Sequence, residues 1–431
     1  MKINRRNFLN LSSVAATGGL LAPRVLKAQM IKHLSNVGLT NDGKGKTILL
    51  LSGWQDVNIG DIAHTPGLLN VLQTFLPKAK IILWKRTVAT EPVKKLLTGK
   101  FPNVDIVYGR VDAEKNVDSP EVLAAFQQAD ILIHGSGPSV TGGRNVEAWV
   151  KTTGKPFGIF GVTIQSVSAG LKRLLNKASF IYLRETRSIE VLAESGILGD
   201  HVAFVPDATF FMDIREDQKA KTFLEKNGLE PKKFICAIPR LRLTPYYKFM
   251  DWKWSEERIR NVEETNAKYK EQDHAKLREV MVHWVRETGN KVLVCPEMIY
   301  EVDIMDELLI DPLPNDVKPY VVKRGYWMPD LAASVYRQAH SVLSFECHSP
   351  IIALHNGTPA FYLRQPHDTI KGQMYYDLGY DDWVFEIMET KGEQIIKELM
   401  SLDAGYEESQ KKINKSNAKI EKLYQNAVGR I

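Results

Sequence analysis

Apolar runs of strand length alternate with helix-length segments along most of the chain. In the first half they are "KTILLLSG" (46–53), "KIILWK" (80–85), "DILIHGSG" (130–137), "PFGIFGV" (156–162) and "FIYLRE" (180–185). The second half has "FICAIPR" (234–240), "KVLVCPE" (291–297), "PYVVKRG" (319–325), "HSVLSFE" (340–346) and "TPAFYLR" (358–364), with helical segments such as "HAKLREVMVHWVRETG" between them. Strands that are apolar throughout, rather than alternating, predict parallel sheets buried on both faces.

The charged stretch 213–233 separates the two sets. With 431 residues the chain exceeds what one core usually holds, about 250 to 300 residues. The pattern therefore predicts an α/β protein of two Rossmann-like domains facing a cleft: 47–212, a connector 213–233, and 234–400. An aromatic insertion at 244–272 and a C-terminal helix at 401–431 complete the plan. In that helix Ile413, Ile420, Leu423, Tyr424 and Ala427 share one face, and it is expected to pack back across the domain interface. Parallel sheets of this kind bind ligands outside the carboxyl ends of their strands, so the cleft is the expected site.

Residues 1–28 read differently. Arg5 and Arg6 precede Phe8-Leu9, a weakly apolar run and a small residue, Ala28. The order resembles a twin-arginine signal, which predicts passage through that export machinery, a periplasmic or otherwise exported location, and a linker at 29–46. The apolar run is shorter than the roughly 20 residues that span a bilayer, so no transmembrane anchor is expected after cleavage. Removing the segment takes away five cations and no acid, and lowers the formal charge from +6 to +1. A near-neutral remainder offers no basic surface for nucleic acid. Cys236, Cys295 and Cys347 are too few and too widely spaced for a disulfide framework or a metal site. A metal set of His348, His367 and Asp368 has no spacing that demands it.

Five loops carry candidate chemistry. "QDVNIGDIAHTPGLLNVL" (55–72) opens a helix with Asn58, Gly60 and Asp61, suited either to a ligand or to capping. "HGSGPSVTGG" (134–143) presents Gly135 and Gly137 after a strand, as an anion or hydroxyl cradle or as a tight turn. Arg184 ends another strand, facing a ligand carboxylate or pairing with Glu185 or Asp207. In "IPRLRLTPYYKFMDWKWSEERIR" (238–260), Arg240 and Arg242 bring guanidinium forks, and Tyr246, Tyr247, Phe249, Trp252 and Trp254 read either as a lid for sugar rings or as self-packed aromatics. "SFECHSPIIALHNGTPAFYL" (344–363) sets Glu346, Cys347 and His348 at a strand end. Ser349 is the expected N-cap there and Pro350 the first helical residue. A histidine at that point is placed for proton transfer or anion binding. Lys371 follows the next strand.

The order of "NIGD", "HGSG", "LRETRSIEVLAESG", "VPDATF", "SFECHSPIIALHNGTPAFYL" and "IKGQMYYDLGY" resembles the polysaccharide pyruvyl transferase family. The resemblance implies a glycosyltransferase-B-like fold and transfer of the enolpyruvyl carbons of phosphoenolpyruvate onto two hydroxyls of a glycan acceptor as a ketal, with no further cofactor. It matches Asn58, Gly60 and Asp61 to the family's first motif and Gly135 and Gly137 to its glycine loop. Arg184, His348 and Lys371 match its arginine, histidine and lysine. Glu346 stands where the family has arginine, and Cys347 where it has leucine. His348 and Glu346 are thus the catalytic candidates. The other readings are an exported hydrolase of pyruvylated or acidic glycans, with Glu346, His348 or Asp207 as acid and base, and a non-catalytic glycan-binding protein.

Overall fold

A computed structural model describes residues 42–431, so the leader and most of the expected linker lie outside the described residues. Seven parallel strands form the first sheet: β1 (Thr47–Ser52), β2 (Lys80–Lys85), β3 (Asp105–Val107), β4 (Ile131–His134), β5 (Phe157–Val162), β6 (Phe180–Leu183) and β7 (Val202–Phe204). Their order is β3-β2-β1-β4-β5-β6-β7. Six more parallel strands form the second: β8 (Phe234–Ile238), β9 (Lys291–Val294), β10 (Val321–Lys323), β11 (Ser341–Ser344), β12 (Ala360–Arg364) and β13 (Val384–Glu386), in the order β10-β9-β8-β11-β12-β13. Both sheets reverse direction of winding beside their first strand, which opens a crevice at the carboxyl ends of β1 and β4 and of β8 and β11. β1, β4, β8 and β11 are buried along nearly their whole length, as their unbroken apolar runs require.

Two helices differ from expectation. The helix Glu256–Thr288 takes in the second half of the expected aromatic insertion. Its first half is polar almost all round and has no apolar period to read, yet Ser255 caps the amide of Arg258 at 3.3 Å and two glutamates occupy the first turn. The final helix begins at Gly392 and runs to Val428, with a break in helical geometry at Gly405. It leaves the second domain and docks on the first, where Tyr424 donates to the Asp207 carbonyl at 2.6 Å and the Tyr182 hydroxyl donates to the Ala427 carbonyl at 3.0 Å.

Backbone pairing also joins the domains. The Ile59 amide donates to the Glu297 carbonyl at 2.9 Å and the Ile299 amide to the Val57 carbonyl at 3.0 Å. Asp377 accepts from the Thr186 amide at 2.7 Å and from its hydroxyl at 2.9 Å. Among the described residues no helix is long and apolar enough to cross a membrane.

Candidate active site

The site begins with a helix start. Asn58 precedes the helix Ile59–Phe75, and its Oδ1 accepts from the amides of Gly60 at 2.6 Å and Asp61 at 3.2 Å. The capping role open to it in the sequence is therefore filled. Gly60 leaves that helix start bare of side chain, and His348 of the other domain occupies the space. One turn on, fully buried His64 brings its Nε2 to 3.1 Å from His348 Nε2 and 3.3 Å from Asp207 Oδ2.

His348 opens the helix His348–His355, one position before the expected N-cap. Ser349 is not the cap. The carboxylate of Glu297, just past β9, takes the free amide of Ser349 at 2.6 Å and faces His348 Nδ1 at 3.2 Å. A distant acid thus satisfies the helix end, and no sequence pattern signals it. Burial works against charging the His348 ring, but the neighbouring Cys347 sulfur and the Glu297 carboxylate outweigh it, so the ring keeps its proton well above the usual histidine range. Burial also opposes charge on Asp207, yet His64 and Arg184 hold it well below the usual carboxylate range.

Arg184 is buried and ion-paired to Asp207, with its Nε donating to Thr163 Oγ1 at 2.7 Å. Glu185 lies behind it, pushed up to about 7 chiefly by burial. His64 Nε2, Asp207 Oδ2 and His348 Nε2 lie within 4.8 Å of one another, the reach of a metal site. The same Asp207 oxygen already carries the Arg184 guanidinium, and a cation placed there would meet that charge at close range. His64 Nε2 can accept from His348 or donate to Asp207, one at a time, and the cluster suits such hydrogen bonding better than an ion. Of the other metal candidates, His367 is exposed while Asp368 is buried and taken up by Arg240 and Tyr362.

Across the cleft Arg240 lies between two acids, ion-paired to Asp368 and 3.0 Å from Glu346 Oε1. The second contact is close in distance but lacks hydrogen-bond geometry, and both Arg240 Nε and Glu346 Oε1 lack a hydrogen-bond partner. Burial raises the pKa of Glu346, and Arg240 only partly offsets this. Arg240, just past the end of β8, thus places a cation beside Glu346.

A cavity of about 240 Å³ lies between the domains, lined by Asn58, Asp61, Arg184, Arg240, Glu346, His348 and Lys371 among the sequence candidates. Trp54, Gln55, Arg86, Thr141, Tyr246, Trp252 and Met298 complete much of its wall. Tyr246 and Trp252 pack together with ring centroids 4.6 Å apart and planes tilted by 37°, whereas Phe249 stacks on Tyr300 and Trp254 packs on Arg258. The aromatic segment therefore divides into a cleft-facing pair and a self-packed remainder.

Four candidates stand outside the cavity wall, Gly60 beneath the His348 ring among them. Arg242 is turned into its own domain, forked onto Asp273 by two bonds of 2.7 Å and stacked on Tyr269, so it is a structural cation rather than a ligand contact. The Gly135 amide is spent on the Leu51 carbonyl at 2.9 Å and the Gly137 amide points to the Gly161 carbonyl at 3.4 Å. A Cβ at Gly137 would lie 2.8 Å from Trp54 Nε1, which gives that glycine a packing reason. Missed in the sequence were His64, which reads as one more residue of an apolar helix, and Glu297, which reads as the end of a strand.

Comparisons with known proteins agree with this architecture. The family model for polysaccharide pyruvyl transferase matches residues 58–366. Among curated proteins no match is found. Similar solved structures include UDP-GlcNAc 2-epimerase from Neisseria meningitidis bound to UDP-GlcNAc, with 12% identity, TM-score 0.55, and coverage of 88% of this chain and 97% of that one. Escherichia coli ADP-heptose lipopolysaccharide heptosyltransferase II gives 13% identity, TM-score 0.50, and coverage of 84% and 99%. Anabaena HepE in complex with UDP-glucose gives 11% identity, TM-score 0.54, and coverage of 89% and 97%. At such identities the likeness is one of fold: two Rossmann-like domains of the glycosyltransferase-B type.

Proposed function

The chain belongs to the polysaccharide pyruvyl transferase family, and on that premise we propose that it transfers the pyruvyl group of phosphoenolpyruvate to two hydroxyls of a glycan acceptor. The observation that carries this reading is His348: a cavity-lining imidazole that keeps its proton, braced by Glu297 on one nitrogen and by His64 and Asp207 at the other. A proton delivered to the methylene carbon of the donor makes its C2 electrophilic. One acceptor hydroxyl then bonds to C2, and the second displaces phosphate from the same carbon. Of the two hydroxyl protons, one restores the imidazole and one leaves with the phosphate, so the step balances. Tyr246 and Trp252 offer an aromatic platform for the acceptor sugar. Purified protein given phosphoenolpyruvate and β-galactosyl or mannosyl acceptors is expected to release phosphate in step with ketal formation. Absence of both across the acceptor panel contradicts the reading.

A second reading is favoured by Glu346, whose raised pKa and unpartnered Oε1 suit a proton donor. In it the protein is exported by way of the Arg5-Arg6 leader and hydrolyses pyruvylated or acidic glycans. Pyruvate or reducing ends released from such a glycan, and lost on Glu346→Gln, would favour it over transfer.

A further inference from the structure

The cationic side chains of the cavity are not equivalent. Arg184 is neutralised by Asp207, Arg240 by Asp368 and Glu346, and Lys371 lies 4.0 Å from Asp368. Arg86 lines the same cavity and forms no side-chain ion pair or hydrogen bond among the described residues. Its backbone is fixed just past β2, where its amide donates to the Ser52 carbonyl at 3.0 Å. Asp56, the acid paired with the neighbouring Lys85, is already used: one oxygen holds Lys85 Nζ at 2.8 Å and the other the Thr90 amide at 2.7 Å. Arg144, second residue of the helix Gly143–Thr153, adds like-charge repulsion to Arg86. Two like charges left together beside a substrate cavity amount to an uncompensated positive field that an anion would satisfy.

We propose that Arg86, backed by Arg144, is the oxyanion-recognition subsite of this cleft, on the wall opposite the self-neutralised Arg240 and Lys371. Its ligand is a phosphate or carboxylate held by the guanidinium fork. The inference builds on the reading of the cleft as a substrate site but does not require pyruvyl transfer. The oxyanion comes either from the phosphate of the donor or from an acidic sugar of the acceptor, and both present the same chemistry to the fork.

Isothermal titration of the full-length protein at low salt with inorganic phosphate, phosphoenolpyruvate and a glucuronate-containing oligosaccharide separates the sources. Arg86→Gln is expected to weaken at least one of them by about tenfold or more, and Arg86→Lys to recover part of the loss. Loss confined to phosphate and phosphoenolpyruvate assigns the subsite to the donor, and loss confined to the oligosaccharide assigns it to the acceptor. Arg86 is exposed, so an unchanged thermal melt is expected and excludes misfolding as the cause. Wild-type protein that binds none of the three, or an Arg86→Gln, Arg144→Gln double variant that binds all three as wild type does, overturns the proposal. Binding that depends on Arg86 without any ketal formation would sink the transfer reading and leave this one standing.

Discussion

Gly60 and His348 occupy one space from opposite domains: a Cβ built on Gly60 would lie 2.3 Å from the His348 ring, and something must shift to admit it. The first turn of the first-domain helix is therefore the seat of the second domain's histidine. Gly60→Ala is expected to displace His348 or spread the domains, costing about 1 to 3 kcal/mol of stability and most of the activity. Chemical denaturation together with turnover tests this. Wild-type values for both would mean that the seat is not needed.

Glu297 braces His348 Nδ1 and takes the Ser349 amide. If the protonated ring is the working form, activity falls as pH rises through the His348 pKa, which lies above the usual histidine value. Removing the carboxylate in Glu297→Gln is expected to bring that falling limb to lower pH. A pH–rate profile checks the direction. A limb that stays in place separates Glu297 from the titration.

His64 lies between Asp207 and His348 without reaching the cavity wall. Its replacement by Gln is expected to lower the His348 titration midpoint, followed by the ring signals in nuclear magnetic resonance of the free protein. A purely space-filling His64 would leave that midpoint unmoved.

His134 accepts the Gly142 amide through Nε2 at 3.0 Å, which only an unprotonated nitrogen does, and burial pushes its pKa down to about 3. Its folded value lies below its unfolded one, so the unfolded chain takes up the proton first. The stabilisation is complete above about pH 6.5 and is lost as pH falls towards the folded value, about 2 kcal/mol of it by pH 5. His274, lowered to about 4 mainly by burial, adds a loss in the same direction. Denaturation midpoints measured between pH 7 and 5 should fall less steeply in His134→Asn than in wild type.

Trp252 is 47% exposed and packs at a tilt against Tyr246 at the cavity. Trp252→Ala is expected to raise the KM for the glycan about tenfold while leaving that for phosphoenolpyruvate and the thermal melt unchanged. Equal effects on both substrates would remove the platform role.

The sheets were readable in the sequence because strands buried on both faces keep an unbroken apolar interior, as in Ile48–Leu51 of β1 and throughout β8. Short edge strands, β3 and β13 among them, carry too few buried positions to stand out. Asn58, Arg184, His348 and Lys371 were readable because each sits at a strand end or helix start, where the fold puts its ligands. Arg242 gave the same local signal as Arg240, and only the position of Asp273 on a distant helix turned it inward. His64 and Glu297 escaped notice for the converse reason. Each looks like part of a buried element, and its role exists only once the second domain closes on the first.

Pyruvyl transfer is read out by following phosphoenolpyruvate labelled with carbon-13 at C2 in the presence of acceptor glycan. The label is expected to move from an enol carbon to a quaternary ketal carbon, one phosphate being released per ketal, and His348→Ala is expected to abolish this while the protein stays folded. Label that remains in phosphoenolpyruvate, or that appears as free pyruvate with the glycan unchanged, contradicts it.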